Sequence, residues 1–211
     1  MVIQNAQQYL VRTHDKGVVP VRTLEADLSH IDRARSVKGY VGAEQVADCF
    51  KGVDGVVILA GVPRKPGRTR GDLFNINAGI VHDLTSAIAD KYPKALIVII
   101  TNAVNSCVPI AAEVLNSKGK CYPRILFGVS ILDIVLARKF ISDSCKFDVD
   151  AVDIPVIGGH SCVTVIPVIS QCKPKVSFSQ LNREKISMRT QEAGTEGVKT
   201  KAGARRGLNR F

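Results

Sequence analysis

Apolar residues in this chain fall into short dense runs, separated by stretches where they recur every three or four positions. Val56, Val57, Ile58, Leu59 and Ala60 form one run, closed by Gly61. Leu96, Ile97, Val98, Ile99 and Ile100 form another, closed by Thr101 and Asn102. Runs that are apolar on both faces and rich in β-branched residues predict buried parallel strands. Between them Ile80, Val81, Leu84 and Ile88 keep helical spacing, and beyond the second run Val104, Val108, Ala111, Ala112 and Leu115 do the same. The order strand, helix, strand, helix predicts a parallel sheet with crossover helices, and so an α/β fold. Ligands of such sheets bind beyond the carboxyl ends of the strands. That rule draws attention to residues 61–72 and 101–105.

Further along, Ile125, Leu126 and Phe127 lead into Gly128, and the spacing predicts a helix over residues 131–142. Two β-rich runs, 151–157 and 163–169, flank Gly158, Gly159 and His160 and predict an antiparallel pair. Residues 180–201 carry an amphipathic helical pattern, whereas residues 203–211 are basic and aperiodic. Residues 1–22 show no clear strand followed by a glycine-rich turn. Gly17 is the only glycine before Gly39, so a G-x-G-x-x-G phosphate fingerprint is absent.

Composition changes this picture little. The 211 residues are 45% hydrophobic and 23% charged, which suits a globular chain with a substantial core. The formal net charge of +10 suits attraction to small anionic substrates as well as to polyanions. No nucleic-acid-binding motif accompanies it, so no nucleic-acid partner is expected. No apolar run reaches the length of a membrane span, and no membrane association is expected. The six cysteines form no C-x-x-C pair and the four histidines are scattered, which predicts neither a zinc site nor a disulfide framework.

Ala60-Gly61-Val62-Pro63-Arg64-Lys65-Pro66-Gly67, with Thr69-Arg70 and Asp72-Leu73-Phe74-Asn75-Ile76-Asn77, resembles the NAD-dependent malate dehydrogenases of bacterial and mitochondrial type. Further motifs follow in the family's order: Ala26 to Ile31, Val37 to Tyr40, Thr101 to Asn105, Phe127 to Val129 with Leu132 to Val135, Val156 to His160, and Gln191 to Glu196 with Lys201 to Gly203. Each motif is weak alone, but the ordered set is specific and spans roughly residues 24 to 204. The resemblance implies an incomplete Rossmann-type parallel sheet followed by a truncated α+β substrate domain. It divides the chain into an NAD-binding domain, residues 1–128, and a substrate domain with a basic tail, residues 129–211. It also implies that both ends of the family's chain lie outside this sequence, including the first strand, its glycine turn and the first helix. The expected ligands are NAD and malate or oxaloacetate. The expected assembly is a homodimer, or a heterodimer with an intact malate dehydrogenase subunit. The expected location is the mitochondrial matrix, with the cytoplasm as the alternative.

Malate oxidation needs a base, a hydride acceptor and cations for two carboxylates. Imidazole titrates near neutrality and suits the first role. By resemblance His160 is the catalytic histidine, and Asp133 is the carboxylate that holds its tautomer. Arg64 and Arg70 match substrate arginines, since guanidinium binds carboxylate through paired hydrogen bonds. Asn102 matches a residue touching both substrate and nicotinamide, Asn77 one near the cofactor, and Ile100 a backbone contact there. Without the surrounding motifs, a lone histidine, a helix-start aspartate and a basic loop would each read as ordinary structure.

Two departures bear on competence. Leu136 stands where the family's pattern has an arginine three residues after the aspartate. Losing one partner of a desolvated charge pair costs about 3–5 kcal/mol. Arg138 lies about 200° round a helix from that position, so it is not expected to substitute. Ala103 replaces the proline of the family's N-P-V-N pattern. The readings that follow are a malate dehydrogenase-like oxidoreductase of impaired activity, and a catalytically inactive relative acting as an interaction partner or a relic.

Overall fold

The computed structural model describes residues 2–4, 8–13, 21–30, 36–41, 44–61, 70–120 and 123–200. Contacts divide the chain into two compact units. One comprises residues 1–64 and 68–129, the other residues 65–67 and 130–211.

The first unit is built on a six-stranded sheet of order β3-β2-β1-β4-β5-β6. Its strands are β1 (Val2–Gln4), β2 (Gln8–Thr13), β3 (Ser36–Val41), β4 (Gly55–Ile58), β5 (Leu96–Ile99) and β6 (Leu126–Gly128). The helices are α1 (Val21–Ser29), α2 (Val46–Phe50), α3 (Arg70–Lys91) and α4 (Val104–Ser117). β2 with β3, β4 with β5, and β5 with β6 pair in parallel, and the pairing of β4 with β5 is the one the two apolar runs predict.

The amino-terminal region departs from expectation. Strands form where residues 1–22 showed none clearly, and β1 takes a central place between β2 and β4. It pairs antiparallel with both, Val2 opposite Leu10 and opposite Val56. Three residues are too few to show an alternation. Strand direction is set by where the chain turns, and side-chain pattern does not record it.

Burial on the sheet is one-sided. Ile58, Ile97 and Ile99 are buried against Val81 and Ile88 of α3 and Cys107, Ala111 and Leu115 of α4. Each valine, leucine or isoleucine among them contributes about 1.5–3 kcal/mol on full burial. Val57 and Val98 on the other face are half-buried, and Leu96 is exposed.

The second unit contains α5 (Ile131–Cys145), the antiparallel pair β7 (Val156–Gly158) and β8 (Val165–Pro167), and α6 (Gln180–Thr200). The pair is shorter than the β-rich runs that predicted it. Ala137, Phe140 and Ile141 of α5 pack with Val152, Ile154, Cys172 and Ile186 of α6 into one buried cluster. α5 ends at Lys146, whose left-handed conformation (φ 54°) turns the Phe147 N–H back to the Ser142 carbonyl at 3.1 Å. These elements hold the connection between β7 and β8, which carries His160.

Candidate active site

In the first unit, the carboxyl ends of β4 and β5 are joined by buried polar side chains. Asn77, 4% exposed on α3, donates from Nδ2 to the Asn102 carbonyl at 2.5 Å. The Thr101 hydroxyl lies 2.7 Å from the Ala60 carbonyl and 3.2 Å from that of Ile58, so it crosses from one strand end to the next. The backbone N–H of Ile100 donates to the Ile58 carbonyl at 2.9 Å. Above this layer Leu59, Gly61, Ile100 and Asn102 are exposed. Gly61 keeps the surface low, because a Cβ there would stand 3.2 Å from Asn77 Oδ1 and 3.3 Å from Thr101 Cγ2. The structure thus brings Asn77 and Asn102 together, with Ile100 beside them. The peptide between Asn102 and Ala103 is cis. Thr101 was read from sequence only as the end of an apolar run. A polar residue closing such a run, one position before Asn102, was the available signal.

In the second unit, Asp133 sits in the first turn of α5, 8% exposed, with its N–H donating to the Ser130 carbonyl. His160 Nδ1 lies 2.7 Å from Asp133 Oδ2. A carboxylate only accepts, so Nδ1 carries the proton in this pair and Nε2 is the basic nitrogen. The helix start also stabilises the negative charge through its dipole. The loop around His160 is closed by Thr164, whose hydroxyl lies 3.0 Å from the Gly159 carbonyl and 2.7 Å from that of Ser161.

Arg64 lies outside the described residues. Arg70 opens α3, and its side chain is likewise outside them. Leu136 is partly buried against the apolar cluster of the second unit. Arg138 points elsewhere, with Nε 2.7 Å from the Val152 carbonyl, a terminal nitrogen 2.9 Å from that of Val149, and Asp150 at 3.7 Å. It does not take up the place of the missing arginine.

Burial pushes the Cys107 thiol above its ordinary range. The Cys172 thiol is also raised, first by burial and then by neighbouring Cys145 and Asp153. Such thiols are poor nucleophiles. The polar chemistry of the second unit rests on the imidazole–carboxylate pair.

These features define a class: a Rossmann-type α/β fold with polar strand ends, followed by a carboxyl-terminal unit carrying a histidine–aspartate pair. Comparison with known proteins narrows it. The profile of the lactate/malate dehydrogenase NAD binding domain matches residues 12–128, and that of the alpha/beta C-terminal domain matches residues 130–206. The chain therefore belongs to the lactate/malate dehydrogenase family. It is 56% identical over 179 residues to the mitochondrial malate dehydrogenases of Bos taurus and Homo sapiens, a stretch covering 85% of this chain and 53% of each relative. The chain thus spans about half the length of the curated relatives it matches. Among solved structures, the apo malate dehydrogenase of Picrophilus torridus superposes with a TM-score of 0.78 at 25% identity, covering 93% of this chain and 63% of that one. Cryptosporidium parvum malate dehydrogenase gives 0.75 at 26%, covering 92% and 64%.

Proposed function

We propose that this chain is a malate dehydrogenase-like oxidoreductase that interconverts malate and oxaloacetate with NAD, at reduced activity. The observation that carries the reading is the 2.7 Å pairing of His160 Nδ1 with Asp133 Oδ2, within the match to the family's carboxyl-terminal domain. Residues 1–128 are assigned as the NAD-binding domain and residues 129–211 as the substrate domain.

The fit to NAD differs between its two ends. The low surface at Gly61, with Asn77 and Asn102 beneath and beside it, suits a flat ring, and Ile100 offers backbone contact there. The pyrophosphate end fits less well. β1 runs antiparallel to β4, so its carboxyl end lies at the opposite edge from those of β4 and β5, and no glycine-rich turn follows it. A weakened affinity follows, because that turn lets backbone N–H groups approach the phosphates at a helix start.

When bound, NAD supplies the hydride acceptor. The chain's own residues supply the rest. His160 Nε2 takes the malate hydroxyl proton, and Asp133 holds the ring and stabilises the imidazolium that forms. Arg64 and Arg70 bind and orient carboxylate groups. Asn102 positions substrate and ring, and Asn77 holds the Asn102 backbone. Leu136 leaves one carboxylate without its guanidinium, which is the physical basis for reduced activity.

Isothermal titration with NADH, followed by a malate turnover assay, tests the reading. Stoichiometric binding with turnover that is lost in His160→Gln supports it. Absence of NADH binding by the folded chain overturns it.

A second reading is a catalytically inactive relative that pairs with an intact malate dehydrogenase subunit. It draws on Ile131, Leu132 and Val135, which α5 leaves exposed together on one face. Sedimentation of the chain alone, and mixed with an intact subunit, separates homodimer, heterodimer and monomer. We place the chain in the mitochondrial matrix, a reading supported by curated relatives named as mitochondrial, and imaging of a fluorescent fusion distinguishes it from the cytoplasm.

A further inference from the structure

We infer that Thr164 is a positioning residue for His160, acting through the loop that joins β7 to β8. The inference rests on the proposed role of His160 as the proton-accepting base, and it adds a residue that acts only through it.

The loop is closed from both sides by this one residue. The Thr164 carbonyl accepts the Gly159 N–H at 3.1 Å, and the Thr164 N–H donates to the Ser161 carbonyl at 2.9 Å. Its hydroxyl lies 2.7 Å from the Ser161 carbonyl and 3.0 Å from that of Gly159. Gly159 and Ser161 are the residues on either side of His160. The backbone of Thr164 therefore brackets the histidine, and its hydroxyl reaches the same two carbonyls.

Gly158 adds a second constraint. Its φ of 87° is available to glycine, and a Cβ there would overlap the Thr164 carbonyl oxygen. The chain thus passes directly against Thr164 just before it presents His160. On the other side of the pair, α5 fixes Asp133 in its first turn. The imidazole–carboxylate distance depends on two supports, and Thr164 secures the one that carries the ring. Thr164 is itself exposed, so its polar contacts are not needed to fill a core.

The hydroxyl's share is separable from the backbone's. Thr164→Val keeps the shape and the β-branch but removes the donor, and Thr164→Ser restores it. Loss of one modest hydrogen bond corresponds to about a two- to tenfold shift in the population of the closed loop.

The test is nuclear magnetic resonance of the full chain labelled at its histidines. The Nδ1 proton of His160 should give a downfield resonance that Asp133→Asn abolishes. Thr164→Val should broaden or remove that resonance, while the methyl signals of Val152 and Ile154 stay in place. Thr164→Ser should restore it. An unchanged resonance in Thr164→Val overturns the role of the hydroxyl. A resonance that survives Asp133→Asn, or that is missing from the unmutated chain, instead overturns the pairing on which the proposed function rests. Should Thr164→Val disturb the core signals, three-bond couplings in the unmutated chain decide the matter. A single χ1 rotamer at Thr164 is expected, and rotamer averaging overturns the inference.

Discussion

Gly158 and Thr164 stand so close across the β7–β8 pair that the glycine has no room for a side chain. Its φ of 87° and the adjacent Thr164 carbonyl both exclude a Cβ. Left-handed backbone costs a non-glycine residue about 1–2 kcal/mol, and forced overpacking typically adds about 1–3 kcal/mol. Gly158→Ala should therefore destabilise the chain by about 2–5 kcal/mol in urea denaturation. A change below about 0.5 kcal/mol, the ordinary range of surface substitutions, would sink this account of the turn.

Neither Leu136 nor Arg138 replaces the arginine expected from the family's pattern. Leu136 packs against the cluster around Phe140 and Ile141, and Arg138 is held by the Val149 and Val152 carbonyls. Neither is arranged to meet a substrate carboxylate. Leu136→Arg should raise kcat/KM for malate by about two to four decades, the reverse of removing one partner of a desolvated ion pair. The double variant Leu136→Arg with His160→Gln should show no such gain. An unchanged rate in the single variant would mean that the carboxylate is held some other way.

Legibility in the sequence followed the length and regularity of each pattern. β4, β5, α3 and α4 were readable because dense β-branched runs and three-to-four spacing persist over enough residues to be distinctive. β1 was not, because Val2, Ile3 and Gln4 are too few to show a period, and side-chain pattern does not record that they pair antiparallel with β2 and β4. The pairing of His160 with Asp133 came from family resemblance, since a separation of 27 residues carries no local signal. The bond from Asn77 to the Asn102 backbone spans 25 positions, and its geometry was equally hidden. Thr101 and Thr164 escaped notice for a different reason. A threonine at the end of a strand reads as an ordinary terminus until its hydroxyl is seen crossing to a neighbouring segment.

Asn77 is the polar pillar beneath the strand ends. Its Nδ2 donates to the Asn102 carbonyl from a site 4% exposed. Asn77→Ala removes the donor to the part-buried Asn102 carbonyl, a loss of about 0.5–1.5 kcal/mol. NADH affinity should fall along with stability, and Asn77→Asp, which places an acceptor against that carbonyl, should fare no better. Titration with NADH beside a denaturation curve checks both. A normal affinity in a destabilised Asn77→Ala chain would remove Asn77 from the cofactor assignment.

Thr85 is the opposite case. It lies fully buried in α3 between Val81 and Ile88, and its hydroxyl has no hydrogen-bond partner among the described residues. Burying a hydroxyl without a partner costs about 1–3 kcal/mol by mutational measures. Thr85→Val replaces it with a methyl of similar size, so the midpoint of denaturation should rise, by an amount equivalent to about 1 kcal/mol or more. A fall in the midpoint would show that the hydroxyl has a partner in solution, for example a buried water.

The buried cysteines tie stability to alkaline pH. Burial raises the Cys107 thiol above its ordinary value of 9.0, and Cys172 is raised by burial together with Cys145 and Asp153. A raised folded-state pKa means that the unfolded chain loses its thiol protons first. Stability from these groups is therefore complete below the unfolded value and is lost as pH climbs through the folded one. Denaturation midpoints should fall as pH rises from about 9. Cys107→Ala with Cys172→Ala should flatten that slope, despite lowering stability at neutral pH through lost packing. In the unmutated chain at pH 8, alkylation of the buried Cys107 and Cys172 should proceed only through opening of the fold, because the reagent must reach the sulfur and the reactive species is the thiolate. Rapid labelling of either residue under native conditions would show that its thiol is neither buried nor held protonated.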